Sequence, residues 1–313
     1  MRAGGARHHG AAIAADLSLL AITAVWGFTF TAVKQALSAA DPFSFLAMRF
    51  ALAAVVLLAA FPRRVFRVTA RGAALAALIG VWLTLGYALQ TTGLVYTTAS
   101  KSAFITGISV VLVPILSLAI SRVRPGIASI GAVALAAIGL CLLTASSVAQ
   151  AGSLRQSGIN VGDLLTLGCA AGFALHIVTA ERVAPRYDPV PLAFWQIAIT
   201  AISCGLIAAA SPARRLDLTP WALSALIITG VLATAVAFLV QMWAQRRTSA
   251  THVAVIFTAE PVFAALFSWL IQHEVLGPRG LLGGGLILCA VLVAQVGPQR
   301  APVGAEEIAP GRQ

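Results

Sequence analysis

Residues 95–122 read Val-Tyr-Thr-Thr-Ala-Ser-Lys-Ser-Ala-Phe-Ile-Thr-Gly-Ile-Ser-Val-Val-Leu-Val-Pro-Ile-Leu-Ser-Leu-Ala-Ile-Ser-Arg. A turn of small residues leads into an apolar run, broken only by Gly107 and Pro114, that is long enough to cross a membrane. The pattern returns 151 residues later: Thr97 as Thr248, Ala99 as Ala250, Ala103 as Ala254, Ser117 as Ser268 and Ile120 as Ile271. Gln90 and Gln241 keep the same spacing. A second echo, at 147, links Asp16, Leu17 and Leu20 to Asp163, Leu164 and Leu167, and the turn Asp41-Pro42 to Asp188-Pro189.

Outward from that stretch the whole chain is apolar. It is 59% hydrophobic and 10% charged, where a soluble domain carries about 25% charged residues. A crossing helix needs about 20 residues, and on that ruler ten candidates appear: 16–37, 45–61, 73–92, 100–121, 127–149, 163–180, 190–210, 222–243, 253–272 and 281–297. The fold class is therefore an all-α polytopic membrane protein of ten transmembrane helices. The domain plan is a cytoplasmic leader (1–15), a first five-helix repeat (16–149), a linker (150–162), a second repeat (163–297) and a disordered cytoplasmic tail (298–313). The first apolar run is longer than a signal-peptide core and is read as a retained helix.

Five is odd, so the second repeat must enter the bilayer from the opposite side. Inverted repeats place a substrate site near the midplane, where the halves meet. Arginine placement fits this count: fourteen fall on the amino-terminal side, while Arg155, Arg214, Arg215 and Arg279 fall opposite. Both termini are thus expected in the cytoplasm, with the chain in the cytoplasmic (inner) membrane. The net charge of +11 is accounted for by these flanking arginines, and no nucleic-acid partner is expected. The four cysteines lie inside apolar runs without metal-ligand spacing and read as packing residues.

Several residues stand out against this background. Glu260 lies in an apolar helix beside Pro261, and an intramembrane acid should face the bundle interior or a wet cavity; it either receives a cationic group or a proton, or fixes helix packing. Arg49 either binds a carboxylate bidentately or snorkels to headgroups or pairs with a neighbouring acid, and Lys34 invites the same caution. Trp26, Tyr87, Gln90 and Gln241 lie at central or near-central depth, as pocket residues or as interhelical glue. Asp16 and Asp163 read as helix caps, and His252 and His273 as interfacial. His176 carries no strong proton-relay case. Clustered acids or histidines, which membrane-embedded catalysis requires, are missing, so neither an enzyme, a metal nor a cofactor is expected; a non-transporting scaffold or receptor is the other alternative.

These residues together resemble the EamA-type family of the drug/metabolite transporter superfamily, in its ten-helix form. The similarity is carried by Trp26-Gly27 with Phe28, Phe30 and Lys34, then Arg49, Leu89-Gln90, Gly93-Leu94, Tyr96-Thr97, Ala99-Ser100 and Ser102-Ala103-Phe104. Glu260-Pro261-Val262-Phe263-Ala264 completes it. The second copy departs with Phe173-Ala174 opposite Trp26-Gly27 and Glu181 opposite Lys34, and the fourth helix has Ser109-Val110 opposite Glu260-Pro261. The resemblance implies a secondary transporter, working as an exporter of small metabolites, amino-acid-like or drug-like solutes. Its implied partners are a small-molecule solute, the lipid bilayer and a second copy in a homodimer.

Overall fold

The computed structural model describes residues 2–122, 124–150, 160–212, 215–217, 219–272 and 277–296. Residues 151–159 of the expected linker, the tail 298–313 and His273 lie outside them. Eight segments are long and apolar enough to cross a membrane, and two shorter apolar helices, Ile127–Leu143 and Pro278–Ala294, occupy the fifth and tenth expected places. A backbone in hydrocarbon has no water to bond, and helices satisfy their amides and carbonyls internally. The chain is a polytopic all-α membrane protein.

The first helices are α1 (Arg2–Ala36), α2 (Pro42–Ala60), α3 (Ala70–Tyr96), α4 (Ala99–Gly107), α5 (Ser109–Leu116) and α6 (Ile127–Gln150). They are followed by α7 (Val161–Val183), α8 (Pro189–Ala210), α9 (Pro220–Gly230), α10 (Ala237–Ala244), α11 (Ala250–Phe257), α12 (Glu260–Gln272) and α13 (Pro278–Val296). Their starts are written in the sequence. Asp41 accepts hydrogen bonds from the amides of Phe43 and Ser44, and Asp188 accepts from that of Val190; in each case proline takes the first helical position, where its missing N–H costs nothing. Thr69, Thr98, Thr219 and Ser249 cap α3, α4, α9 and α11 in the same way. Helix α1 starts at Arg2, running through the basic residues expected to form a leader, while its apolar span opens at Ile13.

Three helices expected to be continuous are divided. The run 100–121 steps at Ile108 between α4 and α5 and ends in a π-turn, Ser117–Ser121. The run 253–272 breaks at Thr258 and Ala259, where the Ala259 amide tightens onto Ile256 at 3.0 Å. Pro114 and Pro261 lie just beyond the two breaks and withhold amide hydrogens, which frees a carbonyl one turn earlier. Between α9 and α10 a π-turn spans Val231–Val236.

The main packing pairs are α6 with α13, α3 with α7, α2 with α8 and α3 with α8, followed by α1 with α12. Without a hydrophobic drive between helices in lipid, close approach rests on small residues. A Cβ at Gly172 on α7 would stand 2.9 Å from the Gly86 amide on α3, so only glycine fits there. Leu206, Leu281 and Leu292 point outward at 67%, 64% and 62% exposure, as a lipid-facing surface requires. Cys169 and Cys204 are buried in the packing as expected, whereas Cys141 and Cys289 face outward.

Candidate functional site

The helix divisions surround one cavity. Its wall includes Trp26, Arg49, Tyr87, Gln90, Gln241 and Glu260, the six residues singled out from sequence, although they come from α1, α2, α3, α10 and α12. His176, Phe173, Phe238, Thr106 and Ser109 complete much of the rest.

Arg49 is the organising cation. It is 3% exposed, which corrects the reading that it snorkels to headgroups: its place eight residues into α2 is one turn too deep, and its partners are internal. Nε donates to Thr234 Oγ1 at 2.8 Å, and one terminal nitrogen reaches Tyr87 Oη and the Ala233 carbonyl, each at 3.4 Å. The guanidinium also lies 4.8 Å from the Tyr87 ring centre, a cation–π contact strengthened by burial. The π-turn makes this possible. Its altered bonding leaves the Ala233 carbonyl to side chains, and Trp26 Nε1 donates to the same oxygen at 2.8 Å. Sequence reading missed Ala233 and Thr234; a buried arginine's demand for acceptors was the signal that something must meet it.

Glu260 opens α12 and reaches the cavity from the helix break, not from within a continuous helix as expected. No described residue hydrogen-bonds its carboxylate, and the charge of the Arg49 guanidinium reaches it across the cavity. Opposite the break, Gly27 gives α1 its approach: a Cβ there would lie 2.7 Å from the Glu260 carbonyl oxygen and 2.9 Å from the Ala264 amide. Trp26, next in sequence, packs edge-on against Phe257 with ring centres 4.9 Å apart.

The amides are oriented by neighbours. Gln90 Nε2 donates to Thr106 Oγ1 at 3.3 Å. Gln241 Nε2 donates to Gln245 Oε1 at 3.1 Å, and Gln245 Nε2 donates to the Ile177 carbonyl at 3.0 Å. This chain fixes Gln241, whose own Oε1 is buried without a partner. His176 lines the cavity after all, buried and 2.7 Å from Gln196 Oε1 through Nε2. It was passed over because the sequence offers it no partner nearer than Glu181, which turns elsewhere: Glu181 accepts from the Ala250 amide at 2.8 Å and from Ser117 Oγ at 3.2 Å.

Three other expectations are corrected away from the cavity. Asp16 is not a cap, because α1 begins well before it; its Oδ1 lies 2.9 Å from His252 Nε2. His252 is accordingly buried, and Ser249 caps α11. Lys34 does not snorkel outward: its ammonium donates to the carbonyls of Leu94 and Thr97 at the end of α3. Asp163 does share a capping box with Asn160, and also pairs with Lys101 at 2.5 Å.

The EamA-like transporter family matches this chain twice, over residues 13–145 and again over 160–295. The chain belongs to that family. An uncharacterized transporter of Archaeoglobus fulgidus is 35% identical over 283 residues, covering 90% of this chain and 86% of that one. The uncharacterized transporter YoaV of Bacillus subtilis is 21% identical over 283 residues, covering 88% and 95%. A solved crystal structure with 19% identity superposes with a TM-score of 0.71 over 90% of this chain and 98% of its own, which shows a shared fold. Like other EamA-like proteins, this one carries small solutes across a membrane and is not an enzyme. Among the described residues no group of three or more His, Cys, Asp or Glu is placed to hold a metal ion.

Proposed function

We propose that this EamA-like protein is a secondary exporter of small zwitterionic solutes with an apolar or aromatic body, working by alternating access between two inverted five-helix repeats. The family's double match to the sequence supports two units, and the geometry repeats with it. Trp26 packs on Phe238 with ring centres 5.9 Å apart, and Phe173 packs on Tyr87 at 5.2 Å. Gly230 lies under the Arg49 carbonyl as Gly80 lies under that of Gln196. Helix breaks fall at Ile108 in one half and at Thr258 and Ala259 in the other.

The single observation that carries the substrate reading is where this repetition fails. Arg49 corresponds in spacing to Gln196, and Glu260 to Ser109. One cation and one anion therefore break an otherwise neutral pseudo-symmetry, one from each half, on one cavity wall. A solute that presents a carboxylate to Arg49 and an ammonium to Glu260 and the open Gln241 oxygen uses both. Trp26, Phe173 and Phe238 supply its apolar surroundings. Glu260 is also the cavity acid placed to take up a proton, which makes proton exchange the favoured coupling. The arginine distribution favours cytoplasmic termini in the inner membrane.

Counterflow in proteoliposomes tests the reading. Neutral amino acids with large apolar side chains should exchange and compete with one another, while their amides and decarboxylated amines should not. Failure of every zwitterion in a broad panel, with simple cations or anions moving instead, would overturn it.

A further inference from the structure

The site explains the charged residues of the cavity but not two pairs near the ends of the bundle, one part-buried and one buried. Asp163 at the start of α7 meets Lys101 on α4 at 2.5 Å, with Thr97 Oγ1 donating to the same carboxylate at 2.9 Å. Asp16 on α1 meets His252 on α11 at 2.9 Å, both side chains no more than 7% exposed. The two pairs correspond: Asp16 and Asp163 are 147 residues apart, Lys101 and His252 are 151 apart. In an inverted pair of repeats they lie at opposite faces of the membrane. One is built on lysine, the other on histidine.

The cavity is not placed evenly between them. From α1 it is lined by Trp26, Thr29, Phe30 and Val33, and from α3 by residues as far along as Leu94, all toward the Lys101 end. Toward the other end it stops at Trp26, Ile177 and Phe257. Beyond them Leu19, Ile22, Val110, Val113 and Val253–Ile256 form a buried apolar plug. Asp16 and His252 stand behind that plug, on the side that carries Arg182, Arg246 and Arg247. Ten residues of helix from Trp26 to Asp16 measure about 15 Å.

We infer that the Asp16–His252 contact is a proton-dependent latch that holds the arginine-rich mouth of the transporter shut. It ties α1 to α11 across the line along which that mouth must open. A histidine changes charge within the physiological range, whereas the lysine of the opposite pair does not. Protonated, His252 pairs with the Asp16 carboxylate as opposite charges; neutral, it keeps the hydrogen bond but loses the attraction between two full charges. Acidification therefore favours the closed mouth at the histidine end and leaves the lysine end unaffected. The groups on the surrounding helices are already engaged. Glu181 on α7 binds the Ala250 amide, Arg182 donates to the Ile120 carbonyl and His176 is held by Gln196. Arg247 lies over Trp243, with Arg246 beside it in the same turn. The described parts of α5, α6 and α13 bring no acid or histidine, and no base but Arg279 at the far end of α13.

This inference rests on the alternating-access reading, so its test separates the two. With the four native cysteines replaced by alanine, Ile177→Cys is labelled by a membrane-impermeant maleimide supplied only from the arginine-rich face, between about pH 6 and pH 8, with rates corrected for thiolate content by a free-thiol control. The latch predicts that labelling rises about fivefold toward higher pH. Asp16→Asn and His252→Gln should label fast at every pH, and His252→Lys, which copies the opposite pair, slowly at every pH. Asp163→Asn should leave labelling from this face no faster than in the parent. Labelling that keeps its pH dependence in His252→Lys, or that is unchanged in Asp16→Asn and His252→Gln, overturns the latch while leaving alternating access intact. If Ile177→Cys is never labelled from this face in any variant, the alternating-access reading itself fails.

Discussion

Burying a charge such as Arg49 inside a membrane-spanning bundle costs about 3 kcal/mol, and its position is maintained by three acceptors and two aromatic faces, those of Tyr87 and Phe50. Those contacts use one edge of a planar fork that lysine lacks. Arg49→Lys is accordingly expected to fold, to keep its charge, and to lose about 10- to 100-fold in affinity for carboxylate-bearing solutes, the equivalent of 1.5–3 kcal/mol for hydrogen bonds to a charged group. Isothermal calorimetry in detergent, beside a melting curve, separates that loss from misfolding. Glu260→Gln is the complementary change. Since no described residue hydrogen-bonds the carboxylate and only the Arg49 charge acts on it across the cavity, its removal should change the melting temperature little, while solute binding falls by a similar factor. A fall in stability without a fall in binding would assign Glu260 to packing.

At this scale the sequence was informative in proportion to how costly a residue is. A charge or an amide in an apolar run announces itself: Arg49, Gln90, Gln241 and Glu260, chosen on that ground, meet on one cavity with Trp26 and Tyr87, while Lys34 turns to the end of α3. The groups that receive them are silent in the sequence: the Ala233 carbonyl is available only because of a π-turn, and nothing in Val231–Val236 announces one.

Among the elements, turns were readable and breaks were not. Asp41-Pro42 and Asp188-Pro189, read as turns, also cap the helices that follow them through local chemistry alone, whereas the cap expected at Asp16 is absent because α1 begins earlier. The break at Thr258 and Ala259 depends on how α12 meets α1, a contact between residues more than 200 positions apart. Gly27→Ala tests that contact. Its methyl would press on the backbone of Glu260 and Ala264, and an overpacked contact costs about 1–3 kcal/mol, so both melting temperature and flux should fall, whereas alanine at Gly205, where nothing lies within 4 Å, should be tolerated.

The Asp188 cap carries a pH dependence of known sign. Burial alone would raise its carboxyl, but the hydrogen bond from Arg64 and the Val190 amide outweigh that and hold it below the ordinary carboxylate range. A depressed acid contributes its stability above the unfolded value near 3.9 and loses it as pH falls further. Asp188→Asn, which keeps a capping oxygen, should therefore melt lower than the wild type at pH 7 and converge with it as pH falls through the depressed carboxyl value. The gap will be small, because the pair with Arg64 is half exposed and screened. Asp188→Ala should lose about 1 kcal/mol at any pH. Detergent-solubilised melts across that range decide both.

For the molecule as a whole, composition pointed to the bilayer, where lipid leaves the backbone little choice but helices, and eight long apolar segments with two shorter ones answer the ten apolar runs. What the sequence did not contain was the state of the bundle: the cavity reaches toward one end and is plugged by apolar residues at the other. In the alternating access proposed above, that asymmetry marks one of two packings of similar energy that share one sequence. The most direct measurement uses a single cysteine at the cavity wall. Ser109→Cys, a near-isosteric change, should be labelled by an impermeant reagent from each face of the membrane in turn, and a transported zwitterion should protect it from both. Labelling from one face only, under all pH and solute conditions, would contradict a cleft shared alternately by the two sides.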